Sequence, residues 1–95
     1  MSSYILMDIL LDENGGGAVT ATAIYAALSK QLGIMFGDYG YAAAKLSLNV
    51  KVFDAETATV VVRISKESAQ RLLSTVPFVR SVGNIPAVLE VLFVG

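Results

Sequence analysis

Between Lys45 and Val52, polar and apolar residues alternate without a break: Lys45, Leu46, Ser47, Leu48, Asn49, Val50, Lys51, Val52. Successive side chains of a strand point to opposite faces of a sheet, so this stretch describes a strand with one face in a core and the other in water. A helix is excluded there, because its apolar stripe recurs every three or four residues. One half-solvated strand implies an antiparallel sheet covered on one side only.

The flanking sequence supplies partners for that strand. Tyr4 to Leu11 is an apolar run with one charge, closed by Asp12-Glu13-Asn14-Gly15-Gly16-Gly17, and reads as a strand followed by a loop. Ala21, Ile24, Tyr25, Leu28, Leu32 and Met35 then recur at helical spacing, with Thr20 or Thr22 placed to cap the start and Gly37 placed where a helix would stop. Asp54-Ala55-Glu56-Thr57 is a short polar connection to the β-branched run Thr59–Ile64, so the two strands form a hairpin. Ser65 caps a second helix carrying Ala69, Leu72, Leu73 and Val76, which Pro77 limits. A turn at Gly83-Asn84-Ile85-Pro86 precedes a last strand, Ala87–Val94. The order β-α-β-β-α-β predicts an α+β ferredoxin-like sandwich, a four-stranded antiparallel sheet with both helices on one face, as a single domain over residues 1–95.

Strict alternation then assigns the faces. Ile5, Met7, Ile9, Leu46, Leu48, Val50, Val52, Val60, Val62, Ile64, Leu89, Val91 and Phe93 are expected in the core. With the usual strand order 4-1-3-2, the open face carries an apolar half on the last and first strands. Leu6, Leu10, Val88, Leu92 and Val94 make up this candidate protein interface. The other half carries the cations Lys45, Lys51 and Arg63 around Asn49, which suits a modest phosphate contact. It also suits a solvated edge guarded by lysines.

Composition narrows the function. Of 95 residues 55% are apolar and only 16% charged, against a usual charged share of about 25%, so some apolar surface is expected to be covered by a partner. With neither His nor Cys, the chain has no thiol nucleophile, no Cys- or His-based metal site and no common catalytic triad. The net charge of −1 argues against a free-standing, charge-driven nucleic-acid binder. Gly15-Gly16-Gly17 lacks the following Gly-Lys-Ser/Thr of a phosphate loop, and Asp12-Glu13 reads as a solvated pair. The strand Thr59–Ile64 has no aromatic on which to stack a base, which argues against sequence-specific RNA readout by the sheet. No apolar run nears the roughly 20 residues of a membrane span, and Met1-Ser2-Ser3 brings no positive charge, so an intracellular protein with no membrane association is expected.

The middle of the chain resembles a known family. Leu32-Gly33-Ile34-Met35 runs into Phe36-Gly37-Asp38-Tyr39-Gly40, then the alternating strand with its early Lys45, the turn Asp54-Ala55-Glu56-Thr57, and Val60-Val61-Val62-Arg63-Ile64. This is similar to the small α/β protein subunit of ribonuclease P and ribonuclease MRP of archaea and eukaryotes, from about Tyr4 to Val94. The resemblance implies a non-catalytic subunit, without a cofactor of its own, of an enzyme whose RNA removes the 5′ leader of precursor tRNA. It also implies a protein partner, the TIM-barrel-like ribonuclease P subunit, with homodimerisation also open. Assisted contact with ribonuclease P/MRP RNA and precursor tRNA is expected through Lys45 and Arg63, with Lys51 as a further candidate. The location would be nucleus or nucleolus in a eukaryote and cytoplasm in an archaeon. The residues alone leave room for an alternative, a self-associating regulatory module that binds a small molecule.

Overall fold

Strands β1 (Ser2–Leu11), β2 (Asn49–Asp54), β3 (Thr59–Ser65), β4 (Ser81–Val82) and β5 (Ile85–Val94) form one antiparallel sheet in the order β2-β3-β1-β5-β4. The computed structural model describes residues 2–11, 19–54, 57–83 and 85–95, and only the backbone of residues 38–41 and 43–45. Helices α1 (Ala21–Lys45) and α2 (Lys66–Thr75) share one core with the sheet, in which Ile24, Leu28 and Leu32 of α1 and Leu72 of α2 meet Ile5, Met7, Val60, Val62 and Ile64. The class is α+β and the long-strand order is the expected one, with a fifth strand where four were expected. Ser81–Val82 pairs with Ile85–Pro86, so the chain turns at Gly83 and Ile85 and Pro86 already belong to β5, not to a turn.

Local chemistry sets the helix ends. The Thr20 hydroxyl accepts from the Ala23 amide at 3.1 Å, and the Ser65 hydroxyl from the Ser68 amide at 3.3 Å, each satisfying a donor that the first helical turn leaves free. Helix α2 stops at Thr75, and Pro77 continues in a single 3₁₀ turn, Val76–Phe78, where its missing N–H costs nothing. Gly37 has φ 70° and ψ −170°, a conformation open almost only to glycine, and it breaks α1 into two helical pieces. The expected stop at Gly37 is therefore a kink, with helix on both sides of it.

That second helical piece corrects the reading of the alternating stretch. Lys45 ends α1, Leu46 and Ser47 form a turn, and the strand begins only at Asn49. Leu46, expected in the core, is 91% exposed, whereas Leu48 is buried.

Two bulges make the larger correction. In β2, Val50 pairs with Val62 but Val52 with Val61, leaving Lys51 as an extra residue. In β5, Val91 pairs with Met7 but Phe93 with Leu6, leaving Leu92 extra. One inserted residue reverses the face of everything beyond it. Val52 and Phe93, both expected in the core, thus stand on the open face, 56% and 65% exposed. Phe53 and Val94 take the opposite sense: Phe53 pairs with Val60 and packs on the core, and Val94 pairs with buried Ile5.

Two substitutions test this description by urea denaturation. Gly37→Ala should lower stability by about 1–3 kcal/mol, because the backbone angles and not crowding demand glycine: nothing lies within 4 Å of an added Cβ. Ser29, buried on α1 with no hydrogen-bond partner for its hydroxyl among the described residues, should tolerate Ser29→Ala with a gain of about 1 kcal/mol. A loss on Ser29→Ala would show that the hydroxyl is bonded.

Candidate functional site

Side chains directly opposite one another on neighbouring strands share a face, so the ladders give the open face row by row. The central row is Val52, Val61, Leu6 and Phe93, crossing β2, β3, β1 and β5. The next row holds Asp54, Thr59, Asp8 and Glu90, and beyond it Leu10 faces Val88. On the other side of the central row lie Asn49, Arg63 and Tyr4, with Tyr4 and Gly95 exchanging backbone hydrogen bonds of 2.7 and 2.8 Å. Along β1 and β5 an acidic pair, Asp8 and Glu90, is therefore set between two apolar pairs, half-buried Leu6 with exposed Phe93 and exposed Leu10 with exposed Val88.

Among the described residues neither Asp8 nor Glu90 has a cationic partner; Asp8 accepts only the Thr59 hydroxyl, at 3.3 Å. Like charges opposite one another on a sheet repel, and no ion pair among the described residues offsets this. The Arg63 Nε donates to the Ser2 hydroxyl at 3.0 Å, two residue pairs from the central row's far side and roughly 13 Å along the strand from the acidic row at ~3.4 Å per residue.

The sequence-derived residues are redistributed by this geometry. Leu6, Leu10 and Val88 lie on the open face, and Leu92 is the half-exposed bulge residue beside them. Val94, assigned to the same interface, is placed on the helix side by its pairing with Ile5, which corrects that assignment. Phe93 takes its place. Of the expected basic half of the face, Arg63 stands on it and Lys51 is the exposed extra residue of the β2 bulge, whereas Lys45 ends α1 instead of opening β2, with a side chain outside the described residues. The segment Asp12–Gly17 and residues Ala55 and Glu56 also lie outside the described residues. Beyond Leu10 and Val88 the surface continues into a hollow lined by Pro77, Val79, Arg80 and Pro86. Sequence reasoning missed the contribution of Val52 and Phe93, since nothing in either strand's composition announces an extra residue.

The protein is an α+β domain whose open sheet face sets a row of carboxylates between apolar rows. The chain belongs to the Rpp14/Pop5 family, whose model matches residues 3–95. It is 28% identical over 96 residues to the probable ribonuclease P/MRP protein subunit POP5 of Arabidopsis thaliana, a match covering 94% of this chain and 64% of that protein's length. Its fold also matches a chain in the cryo-EM structure of yeast ribonuclease MRP with a TM-score of 0.72. That match covers 99% of this chain and 72% of the other at 12% identity, a likeness of fold. The family is the one that the Phe36–Gly40 segment and the following hairpin resemble.

The acidic pair has a measurable consequence for the free chain. Glu90→Gln should raise stability by about 0.2–1 kcal/mol at low ionic strength, and the gain should shrink in 0.5 M salt as screening weakens the repulsion. Thermal melts at two salt concentrations check it; a loss of stability would mean that Glu90 has a favourable partner.

Proposed function

We propose that this chain is a non-catalytic protein subunit of ribonuclease P or ribonuclease MRP, joined to the TIM-barrel-like protein of that enzyme through its open sheet face. In this role it supports the catalytic RNA in removing the 5′ leader of precursor tRNA. Membership of the Rpp14/Pop5 family supports the assembly. The observation that carries the docking face is the apolar row Val52, Val61, Leu6 and Phe93, exposed at its two ends and half-buried in the middle, beside Asp8 and Glu90.

Covering a large apolar side chain contributes roughly 1.5–3 kcal/mol, so a few of these residues suffice for a stable contact once ordering costs are met. The carboxylates decide what kind of molecule does the covering. Phosphates would be repelled by Asp8 and Glu90, and burying either carboxylate without a partner is costly. A protein segment that brings apolar side chains and a Lys or Arg between them satisfies both demands. Arg63, at the opposite end of the face, is the residue there best placed to reach RNA at the margin of such a complex.

Leu6→Glu and Phe93→Glu should each weaken association with the TIM-barrel-like ribonuclease P protein about 30-fold or more, the loss expected for a central anchor. Isothermal titration with variants whose circular dichroism matches the parent checks this. Association of the parent only with itself would favour a self-associating module over the proposed heterodimer.

A further inference from the structure

Lys30 and Gln31 lie near the middle of α1, Phe78 and Arg80 lie in the link from α2 to β4 and Ser81 opens β4, yet together with Ile34 they line one hollow. Its volume is about 250 Å³, below the ~300–1,000 Å³ usual for small-molecule pockets, so it suits a flat ring laid on the surface better than an enclosed metabolite. Phe78 is 54% exposed, which leaves a face of its ring open to a flat partner. Lys30 and Arg80 line the same hollow and are exposed, and among the described residues neither has an ion-pair partner. No carboxylate lines the hollow. A second depression continues from Lys30 past Ala26 and Ala23 to Gly83, so Lys30 stands between two hollows in a shallow track along α1.

We propose that this hollow is a contact site for single-stranded RNA, with a base stacked on Phe78 and the adjoining phosphates held by Lys30 and Arg80. Stacking on an exposed aromatic between cations is how single strands are held without sequence readout, because every base offers a flat face. Gln31 and Ser81 add donors and acceptors for base edges and the ribose 2′-hydroxyl, which acidic peptides would not need. The distribution of charge points the same way: the sheet face carries the carboxylates Asp8 and Glu90 as well as Arg63, whereas the hollow beside α1 is lined by the cations Lys30 and Arg80 and by no carboxylate. The proposal deepens the ribonucleoprotein reading given above by naming where RNA touches the chain, and it is tested apart from it.

The test is fluorescence anisotropy of the purified chain with a labelled, unstructured 12-nucleotide oligouridine. Two phosphate contacts on a single strand predict an affinity about sevenfold lower in 200 mM than in 50 mM salt. Lys30→Glu with Arg80→Glu should reduce affinity at least about tenfold and flatten that salt dependence. Phe78→Ala should reduce it about tenfold at either salt concentration. Lys66→Glu with Arg71→Glu, an equal charge change on α2, should leave most of the binding, and thermal melts confirm that each variant folds. Absence of binding by the parent, an equal loss in the α2 control, or full binding by the Lys30 and Arg80 variant overturns the proposal. Titration with the TIM-barrel-like protein in the absence of RNA separates the two readings, since failure there removes the heterodimer and leaves the oligouridine result intact.

Discussion

A strand in a sheet has a period of two residues, and the make-up of this molecule's open sheet face follows from where that period is broken. The extra residues Lys51 in β2 and Leu92 in β5 exchange the faces of the residues that follow them. Val52 and Phe93 are turned outward, and Phe53 and Val94 are turned toward the helices. The core keeps its centre because Ile5, Met7, Val60 and Val62 lie on β3 and β1, which pair with one another without a shift. The bulges therefore cost the interior little and give the exterior a row of apolar side chains four strands wide. Each bulge also adds local twist, which curls the edges of a sheet and discourages pairing with another chain's strands.

The same register decides the electrostatics. Asp8 and Glu90 are neighbours because β1 and β5 pair directly, and Thr59, the residue beside Asp8 on β3, offers only a hydroxyl. A free domain under no constraint but its own stability gains nothing from such a pair between two apolar contacts. A domain held against a basic partner gains specificity from it, since an apolar surface alone selects little. The cations lie elsewhere: Lys30 and Arg80 border α1, and Arg63 stands at the far margin of the sheet. Protein on the sheet and RNA along the helix is the division of labour that this arrangement of charge supports.

Much of the fold was legible in the sequence because local rules and tertiary packing agree. The stripe Ile24, Leu28, Leu32, the caps Thr20 and Ser65 and the β-branched run of β3 all appear where spacing and side-chain chemistry put them. Legibility failed where one residue changes the register. The alternation Lys45–Val52 was read as a single strand, but helix α1 extends past Gly37 to Lys45 and claims its start, and the Lys51 bulge interrupts its end. Alternation does not show that a residue has been skipped. The make-up of the open face was half visible for the same reason: Leu6, Leu10 and Val88 precede or avoid the bulges, while Val94 and Phe93 exchanged places across one. The hollow at Phe78 left no trace, because its residues come together only when α1 packs beside the link between α2 and β4.

The central claim is that the bulged sheet face is covered by protein when the chain is assembled. Hydroxyl-radical footprinting read by mass spectrometry measures this directly, since Phe93, Leu92, Leu6 and Tyr4 lie on or beside that face and are reactive when open to water. The account predicts strong labelling of these residues in the free chain and clear protection once the TIM-barrel-like ribonuclease P protein is added, before any RNA. Phe78 should stay labelled at that stage. Equal labelling of Phe93 and Leu92 in the free and assembled chain would contradict the account.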